Sequence, residues 1–332
     1  MPFRASPLAA MCRTVALVPA LLLATTAAPA HAQPGHAEPG HVQPAQGTAL
    51  AATAVPVKPG TAEVNGVRLH YAVHGDLASG TAPLLILHGA FMSGEAMKPL
   101  VDRFAETRPV ITLDARGHGR TGNVGGPISY ETMADDAAAL LAELGIARAD
   151  VLGYSMGGST AVALAVRHPD RIGKQVILSG TASLDGWHPE VLSAIAKMTP
   201  EELAGSPMEK AYRDMSPTPK AFPKLVAAIK ELDSTPFGFS DEQIRAIPGK
   251  TMIILGDADG VTFDHAIKLF RLRGGGDKKP VVEGFMTEAP KARLAILPGT
   301  SHIGLMAEAA TIAAMVTPFL DDTTPPLPAV FF

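Results

Sequence analysis

Short, almost continuous apolar segments recur along the chain, and glycine-rich or polar stretches separate them. These segments are residues 84–87, 110–113, 151–152, 176–178, 252–255 and 294–297. This composition is typical of strands that are buried on both faces of a parallel sheet. Two further stretches, residues 61–64 and 67–73, flank an Asn-Gly pair that favours a tight hairpin turn. The pattern therefore predicts an eight-stranded, mostly parallel sheet with an antiparallel hairpin at one edge.

Apolar residues at helical spacing fill most of the intervals between these strands. The predicted helices are residues 95–106, 130–144, 156–167, 263–272 and 303–320. Strands that alternate with helices predict an α/β fold with helices on both faces of the sheet.

Residues 181–248 break this alternation. They contain many prolines and short helical stretches, and no continuous apolar strand. We interpret the segment as a helical lid inserted into a core made of residues 61–180 and 249–322, with residues 323–332 as a tail. The glycine-rich residues 273–280 predict a second loop at the surface.

Residues 1–32 have the three-part organisation of a secretory signal peptide. Arg4 and Arg13 precede the apolar residues 14–28, and an Ala-x-Ala sequence follows at residues 30–32. The apolar part is short for a membrane span and contains proline, although an uncleaved anchor is the alternative. We therefore expect a mature protein that is exported to the periplasm or the extracellular space, without stable insertion in a membrane.

Residues 33–60 are rich in proline, glycine, alanine and glutamine, which is typical of a disordered, flexible linker. A quasi-repeat places His31, His36 and His41 at equal spacing, so a weak metal-binding tail is an alternative. The only cysteine, Cys12, lies in the predicted signal peptide. The mature chain would then contain neither a disulfide nor a cysteine nucleophile.

Composition narrows the class of protein further. Of the 332 residues, 47% are hydrophobic and 18% are charged, which excludes a disordered chain. The formal net charge is −4 and no dense basic segment occurs, so nucleic acid is not an expected partner.

A Gly-x-Ser-x-Gly sequence at residues 153–157 joins a predicted strand to a predicted helix. A sharp turn there would place Ser155 in a strained backbone conformation with its hydroxyl exposed, and the two glycines would avoid side-chain clashes. The start of the helix would also supply the backbone N–H of Met156 and a favourable dipole for a developing anion. This context favours a catalytic serine over a tight turn without chemistry.

Four other segments, in the same order along the chain, resemble motifs of the α/β-hydrolase superfamily. Residues 88–91, His-Gly-Ala-Phe, are similar to its oxyanion loop, and residues 114–121 to its Asp-x-Arg-Gly-His-Gly-x-Ser/Thr loop. Residues 256–259 are similar to the Gly-x-x-Asp that carries the acid, and residues 298–302 to the loop that carries the histidine. The resemblance covers about residues 61–322 and implies the α/β-hydrolase fold.

The resemblance implies Ser155 as the nucleophile, His302 as the general base and then acid, and Asp259 as the carboxylate that orients the histidine. Chemistry agrees, because a serine hydroxyl needs an imidazole to take its proton and the imidazolium needs a fixed carboxylate. A developing oxyanion needs backbone donors, for which we expect the N–H groups of Ala90 and Met156.

Other acidic and basic side chains near these motifs have alternative roles. Asp257 is an alternative acid, and Asp185 is a more remote one. We expect His88, His118 and Asp114 to brace loops rather than to titrate in the reaction. No cofactor and no metal ion is expected, because the sequence contains no His-Glu-x-x-His or cysteine cluster.

A serine nucleophile in this framework implies an acyl-enzyme that water clears. The expected substrate is a small-molecule carboxylic ester or a lactone-like acyl compound. Cofactor-free perhydrolases, also called haloperoxidases, share the short oxyanion loop, and peptidases and carbon–carbon bond hydrolases share the framework, so these activities are alternatives. A non-catalytic binding module is a remote alternative, since all three triad positions are filled. The lid sets which substrate fits, and the sequence leaves the substrate and the oligomeric state open.

Overall fold

The computed structural model describes residues 55–122 and 125–327. The predicted signal peptide, with Cys12, and most of the predicted linker, with its histidines, lie outside the described residues. The first strand begins at Val57, so the last residues predicted as linker belong to the sheet. Within the described ranges, no helix is long and apolar enough to cross a membrane.

Eight strands of the described residues form one sheet, as predicted. In chain order they are β1 (Val57–Val64), β2 (Val67–His74), β3 (Leu84–Leu87), β4 (Val110–Leu113), β5 (Ala149–Tyr154), β6 (Ile172–Leu178), β7 (Thr251–Ala258) and β8 (Ala292–Ser301). Their order across the sheet is β1-β2-β4-β3-β5-β6-β7-β8. Strand β2 pairs antiparallel with β1 and β4, and the remaining pairs are parallel. The predicted α/β class and the antiparallel hairpin at one edge are confirmed.

The described residues also form ten α-helices. They are α1 (Lys98–Ala105), α2 (Tyr130–Glu143), α3 (Met156–Arg167), α4 (Pro189–Lys197), α5 (Pro207–Met215), α6 (Phe222–Leu232), α7 (Asp241–Ala246), α8 (Phe263–Leu272), α9 (Lys278–Glu283) and α10 (Ala309–Leu320). Helices α3 and α8 have the bounds that the sequence predicts. The predicted helices at 95–106 and 303–320 begin instead with 3-10 turns, Gly94–Met97 and Gly304–Glu308.

The sheet separates two apolar cores, as the composition of β3 illustrates. Side chains of a strand point alternately to its two faces. Leu84 and Ile86 join one core together with residues of α1 and α10, and Leu85 and Leu87 join the other with residues of α2 and α3. All four leucine and isoleucine side chains are buried, which explains why the strand is apolar throughout rather than alternating.

Helices α4 to α7 lie between β6 and β7 in the chain, in the segment that the sequence predicts as a lid. Helix α6 buries Leu225, Val226 and Ile229 in the same core as α2 and α3. The lid therefore packs on one side of the sheet and shares its apolar interior.

Residues 273–280 differ from the predicted surface loop at both ends. Arg273 is fully buried, and its guanidinium donates to the carbonyl of Ile244 at 2.7 Å and to the hydroxyl of Thr251 at 2.8 Å. These bonds tie the end of α7 to β7. Helix α9 begins at Lys278, inside the segment predicted as a loop. The predicted loop is confirmed at residues 274–277, and only its two ends differ. A buried arginine leaves no local signal in a sequence, which is why the position of Arg273 was not predicted.

Candidate active site

Ser155 occupies the turn between β5 and α3, where its backbone is strained. Its φ of 54° and ψ of −118° lie outside the regions that non-glycine residues ordinarily adopt. A Cβ on Gly153 would lie 2.0 Å from the carbonyl oxygen of Gly157, and a Cβ on Gly157 would lie 2.2 Å from the carbonyl oxygen of Leu87. Both glycines are therefore required by the close approach of backbone to backbone, as the sequence pattern predicts.

The three residues of the predicted triad come from distant parts of the chain and form one hydrogen-bonded series. Nε2 of His302 lies 2.9 Å from Oγ of Ser155, and Nδ1 of His302 lies 2.8 Å from Oδ1 of Asp259. An ionised carboxylate holds the imidazole proton on Nδ1, which leaves Nε2 free to accept a proton. The arrangement can therefore move a proton from the serine hydroxyl to the imidazole.

The carboxylate of Asp259 is fully buried and surrounded by donors. Oδ2 accepts the hydroxyl of Ser179 and the backbone N–H of Gly256, and Oδ1 accepts the backbone N–H of Val261 at 3.1 Å. Burial by itself raises the pKa of Asp259, but His302 and the hydrogen bonds from Ser179 and Val261 outweigh it and hold the pKa below its usual value. The carboxyl is therefore ionised at neutral pH.

Ser179 is a part of this site that the sequence motifs do not mark. It directly follows β6 and has a φ of 49°, in the left-handed region. The first residue after a parallel strand lies at the carboxyl edge of the sheet, where binding sites of α/β proteins occur. That position is the one signal in the sequence that points to Ser179.

The structure brings Asp259, and neither alternative acid, to the imidazole of His302. Asp257 accepts two backbone N–H groups, from residues 299 and 300, at 2.8 and 3.0 Å. It therefore braces the loop that precedes the histidine. Asp185 lies in a 3-10 turn of the lid, where it accepts the hydroxyl of a neighbouring serine.

Two aromatic side chains pack against the imidazole of His302. The ring of Tyr154 stacks at 5.4 Å between centroids, and its hydroxyl donates to the backbone carbonyl of His302 at 2.9 Å. Burial and the nearby Asp259 raise the pKa of Tyr154, so this hydroxyl stays protonated. Trp187, from the lid, meets the imidazole at 5.4 Å and an interplanar angle of 68°. The lid and the core thus share in placing the histidine.

The two expected oxyanion donors are backbone N–H groups without acceptors. Among the described residues, neither Ala90 nor Met156 donates its N–H to another group. Met156 is the first residue of α3, and the first N–H groups of a helix have no partner within it. His88 holds the loop of Ala90, because its Nε2 accepts the N–H of Ala115 at 2.9 Å and its Nδ1 donates to the carbonyl of Gly89 at 2.8 Å.

Asp114 and His118 also brace loops, as the sequence predicts. Asp114 accepts the backbone N–H groups of Gly94 and Arg120, both at 2.7 Å. His118 is fully buried, with Nδ1 placed 3.0 Å from the carbonyl oxygen of Arg116. Burial lowers the pKa of His118 to about 3, so its imidazole is neutral near pH 7.

Potential metal ligands do not cluster in the part of the chain that the structure describes. No group of three or more histidine, cysteine, aspartate or glutamate side chains there is arranged to hold a metal ion.

Comparison with known proteins adds an independent observation. The sequence model of the alpha/beta hydrolase family matches residues 84–315. A Caulobacter segnis protein, provisionally named carbamate hydrolase RutD, is 36% identical over 127 residues, which are 38% of this chain and 47% of that protein. The chain thus spans about half the length of the curated relatives that it matches.

Two solved structures have a similar fold at low sequence identity. The enol-lactonase from Burkholderia xenovorans LB400 superposes with a TM-score of 0.58 at 24% identity, over 79% of this chain and all of that one (100%). The meta-cleavage product hydrolase CumD from Pseudomonas fluorescens IP01 gives a TM-score of 0.63 at 18% identity, over 80% of this chain and 98% of that one. At these identities the likeness concerns the fold alone.

Proposed function

The chain belongs to the alpha/beta hydrolase family, and from this we propose that it is a serine hydrolase that cleaves a small carboxylic ester or a lactone-like acyl compound. The observation that carries the proposal is the hydrogen-bonded series from Ser155 through His302 to Asp259, at 2.9 and 2.8 Å. A serine at a strained turn, an imidazole and a buried ionised carboxylate are the parts that nucleophilic acyl transfer needs.

In the first half of the proposed reaction, Oγ of Ser155 attacks the carbonyl carbon of the substrate while Nε2 of His302 takes the hydroxyl proton. Asp259 offsets the charge of the imidazolium and keeps its proton on Nδ1. The negative charge that develops on the carbonyl oxygen is stabilised by the N–H groups of Ala90 and Met156, and one such donor contributes about 3–4 kcal/mol. When the tetrahedral intermediate collapses, His302 gives the proton to the leaving alcohol oxygen.

In the second half, water replaces the alcohol. Nε2 of His302 takes a proton from this water, the resulting hydroxide attacks the acyl carbon, and the proton returns to Oγ of Ser155 as the acid leaves. Over the whole cycle the hydroxyl proton of Ser155 leaves with the alcohol, and a proton from water replaces it through His302. No other reactant enters the proposed cycle.

The contact between lid and oxyanion loop supports a small substrate. Phe222 of α6 meets Phe91, the residue after Ala90, with ring centroids 6.1 Å apart. Phe222 is buried at this contact, so the segment packs directly on the oxyanion loop. The name of one relative, carbamate hydrolase, also fits attack on an acyl carbon. We therefore propose a preference for short acyl chains.

Two measurements on the purified protein and its Ser155→Ala variant test the proposal. The first is covalent labelling by a fluorophosphonate, and the second is hydrolysis of p-nitrophenyl esters from acetate to palmitate. We expect labelling of Ser155 and fastest turnover of the short esters, and the variant should lose labelling and about 10⁶-fold in turnover. The variant should unfold in urea at the same concentration as the wild type.

The other outcomes separate the alternatives. Labelling of Ser155 without hydrolysis of any ester would reject an ester substrate and favour an amide, a peroxide or a carbon–carbon bond. Failure of both measurements in a folded protein would favour a binding module. Equal turnover by Ser155→Ala and the wild type would refute the serine mechanism.

We also propose that the protein is exported, on the basis of the signal-peptide pattern in residues 1–32. Mass spectrometry of the protein recovered from its native host should find a mature chain that begins near Gln33. Recovery of the intact leader from the cytoplasm would refute export.

A further inference from the structure

The oxyanion loop contains a tight turn with an aromatic residue in an unfavourable position. The backbone N–H of Met92 donates to the carbonyl of Gly89 at 3.2 Å, which closes a four-residue turn with Ala90 and Phe91 at its centre. Phe91 has a φ of 62°, whereas the φ of Ala90 is not positive. This is the pattern of a type II turn, whose third residue is usually glycine. A phenylalanine at that position is strained.

Hydrogen bonds fix the chain on both sides of the centre of this turn. The carbonyl of Gly89 accepts Nδ1–H of His88 at 2.8 Å in addition to the N–H that closes the turn. Just beyond the turn, the N–H of Gly94 donates to the buried carboxylate of Asp114 at 2.7 Å. Because the ends are held, the strain is most directly relieved by rotation of the peptide group between the two central residues.

That rotation would disturb a proposed oxyanion donor. If Phe91 relaxed to a negative φ, the turn would become type I, and the ψ of its second residue would change from about 120° to about −30°. The second residue is Ala90, whose N–H is one of the two proposed donors. Donors stabilise an oxyanion when they are already in place before charge develops. A relaxed turn would therefore slow the chemical step.

The lid holds the ring of Phe91 in the strained conformation. This ring packs against Phe222, the first residue of α6, with centroids 6.1 Å apart and an interplanar angle of 53°. Phe222 is buried and packs in turn on Tyr212 of α5, at 5.5 Å between centroids. The Cα–Cβ bond of Phe91 would change direction if its φ changed sign. The contact with Phe222 therefore favours the type II turn.

We propose that Phe91 is a positioning residue, and that its contact with Phe222 keeps the turn of Ala90 in the form that catalysis needs. This inference rests on the serine esterase function proposed above. It couples the lid to the oxyanion loop, because the strained backbone of Phe91 depends on a ring that the lid supplies. Glycine adopts a positive φ without strain, so a glycine at this position needs no support from the lid.

Two substitutions of Phe91 separate its backbone from its ring. Phe91→Ala and Phe91→Gly both remove the ring, but alanine keeps a Cβ and therefore the strain. The assay is kcat on p-nitrophenyl acetate and p-nitrophenyl butyrate. We expect Phe91→Ala to lower kcat by about 10-fold on both esters, and Phe91→Gly to stay within about 2-fold of the wild type.

A substitution in the lid tests the coupling. Phe222→Leu keeps an apolar side chain and removes the aromatic contact. It should lower kcat by about 5-fold in the wild type, but by less than about 2-fold when it is combined with Phe91→Gly. Ile229→Val is the matched control, because Ile229 is buried on α6 about two turns from Phe222. This control should leave kcat unchanged.

Three kinetic results would overturn the inference. The first is an equal kcat for Phe91→Ala and Phe91→Gly, because the strain of the turn would then have no effect. The second is a loss that differs between acetate and butyrate, because the ring would then line the acyl pocket. The third is a loss in Phe222→Leu that persists in the presence of Phe91→Gly.

Urea unfolding judges the turn without turnover. Alanine ordinarily gives a more stable protein than glycine, and the order is reversed only where the native φ is positive. We therefore expect Phe91→Gly to unfold at a higher urea concentration than Phe91→Ala. If no ester is hydrolysed, the proposed function fails. The opposite order of the two unfolding midpoints would overturn the role of Phe91 separately.

Discussion

Removal of the Ser179 hydroxyl should weaken both the fold and the catalysis through Asp259. In the wild type this hydroxyl donates to Oδ2 of a carboxylate that is fully buried. Ser179→Ala leaves the other donors, His302, Gly256 and Val261, in place. Serine and alanine have similar strain at a φ of 49°, so the change isolates the hydrogen bond.

The expected loss follows from the charge of the acceptor. A hydrogen bond to a charged group contributes about 1.5–3 kcal/mol, and the buried carboxylate of Asp259 keeps no water to replace it. The free energy of unfolding at pH 7 should therefore fall by about 2 kcal/mol. Asp259 should remain charged and hydrogen-bonded to His302, so kcat should fall by only about 10-fold, equivalent to about 1.4 kcal/mol of activation free energy.

The lowered pKa of Asp259 determines how the stabilisation by the Ser179 hydrogen bond changes with pH. The folded-state pKa of Asp259 is lowered, and Ser179 is one of the groups that lower it. The stabilisation is therefore fully present above the unfolded-state pKa of about 3.9, and it is lost as the pH falls through the folded-state pKa. The difference in unfolding free energy between the wild type and Ser179→Ala should be fully present near pH 7, and it should shrink only as the pH falls through the lowered folded-state pKa of Asp259.

Urea unfolding over a series of pH values from 7 down to the acid limit of the fold, together with kcat on a short ester, measures these effects. Ser183→Ala is the matched control, because its hydroxyl donates to the exposed carboxylate of Asp185, where such a pair contributes little. A loss no greater than that of the control, or a loss that does not shrink anywhere on the acid side of the series, would refute the assignment of the Ser179 bond to a buried charge.

Two other predictions concern the acid and a buried histidine. Asp259→Asn should lower kcat by about 10⁴-fold, because the amide favours the wrong imidazole tautomer. Asp257→Asn should lower kcat by less than about 10-fold. Comparable losses of kcat in the two variants, measured in steady-state assays, would contradict the choice of Asp259 as the acid. His118→Asn should reduce the acid sensitivity of the fold, since a folded-state pKa of about 3 makes the unfolded chain bind the proton first as the pH falls below about 6.5. Unfolding free energies from pH 7 to 5 should then fall less steeply in the variant, by up to about 1.4 kcal/mol per pH unit, and equal slopes would contradict this reasoning.

Much of the architecture is readable from local pattern. Residues 84–87 form a strand that helices cover on both faces. Because every side chain of the strand is buried, all of them are apolar, and this makes the strand recognisable in the sequence. The turn at Ser155 is readable for a steric reason, since Gly153 and Gly157 would place a Cβ against backbone atoms. The burial of Arg273 was missed because most of its partners are backbone carbonyl oxygens, which every residue carries.

The catalytic geometry depends on contacts between distant residues. His302 and Ser155 are 147 positions apart, and no local pattern states that their side chains meet at 2.9 Å. Motifs mark each of them because a strained turn or a loop after a strand has a steric signature of its own. Ser179 and Trp187 have no such signature, since a hydroxyl that bonds Asp259 and an indole that covers His302 depend on which strands the sheet places side by side. Short-range steric and burial requirements restrict which residues occur at each position, so they can be recognised in the sequence. Hydrogen bonds across the sheet edge form only after β5, β6, β7 and the lid have packed together, so only the tertiary structure determines them.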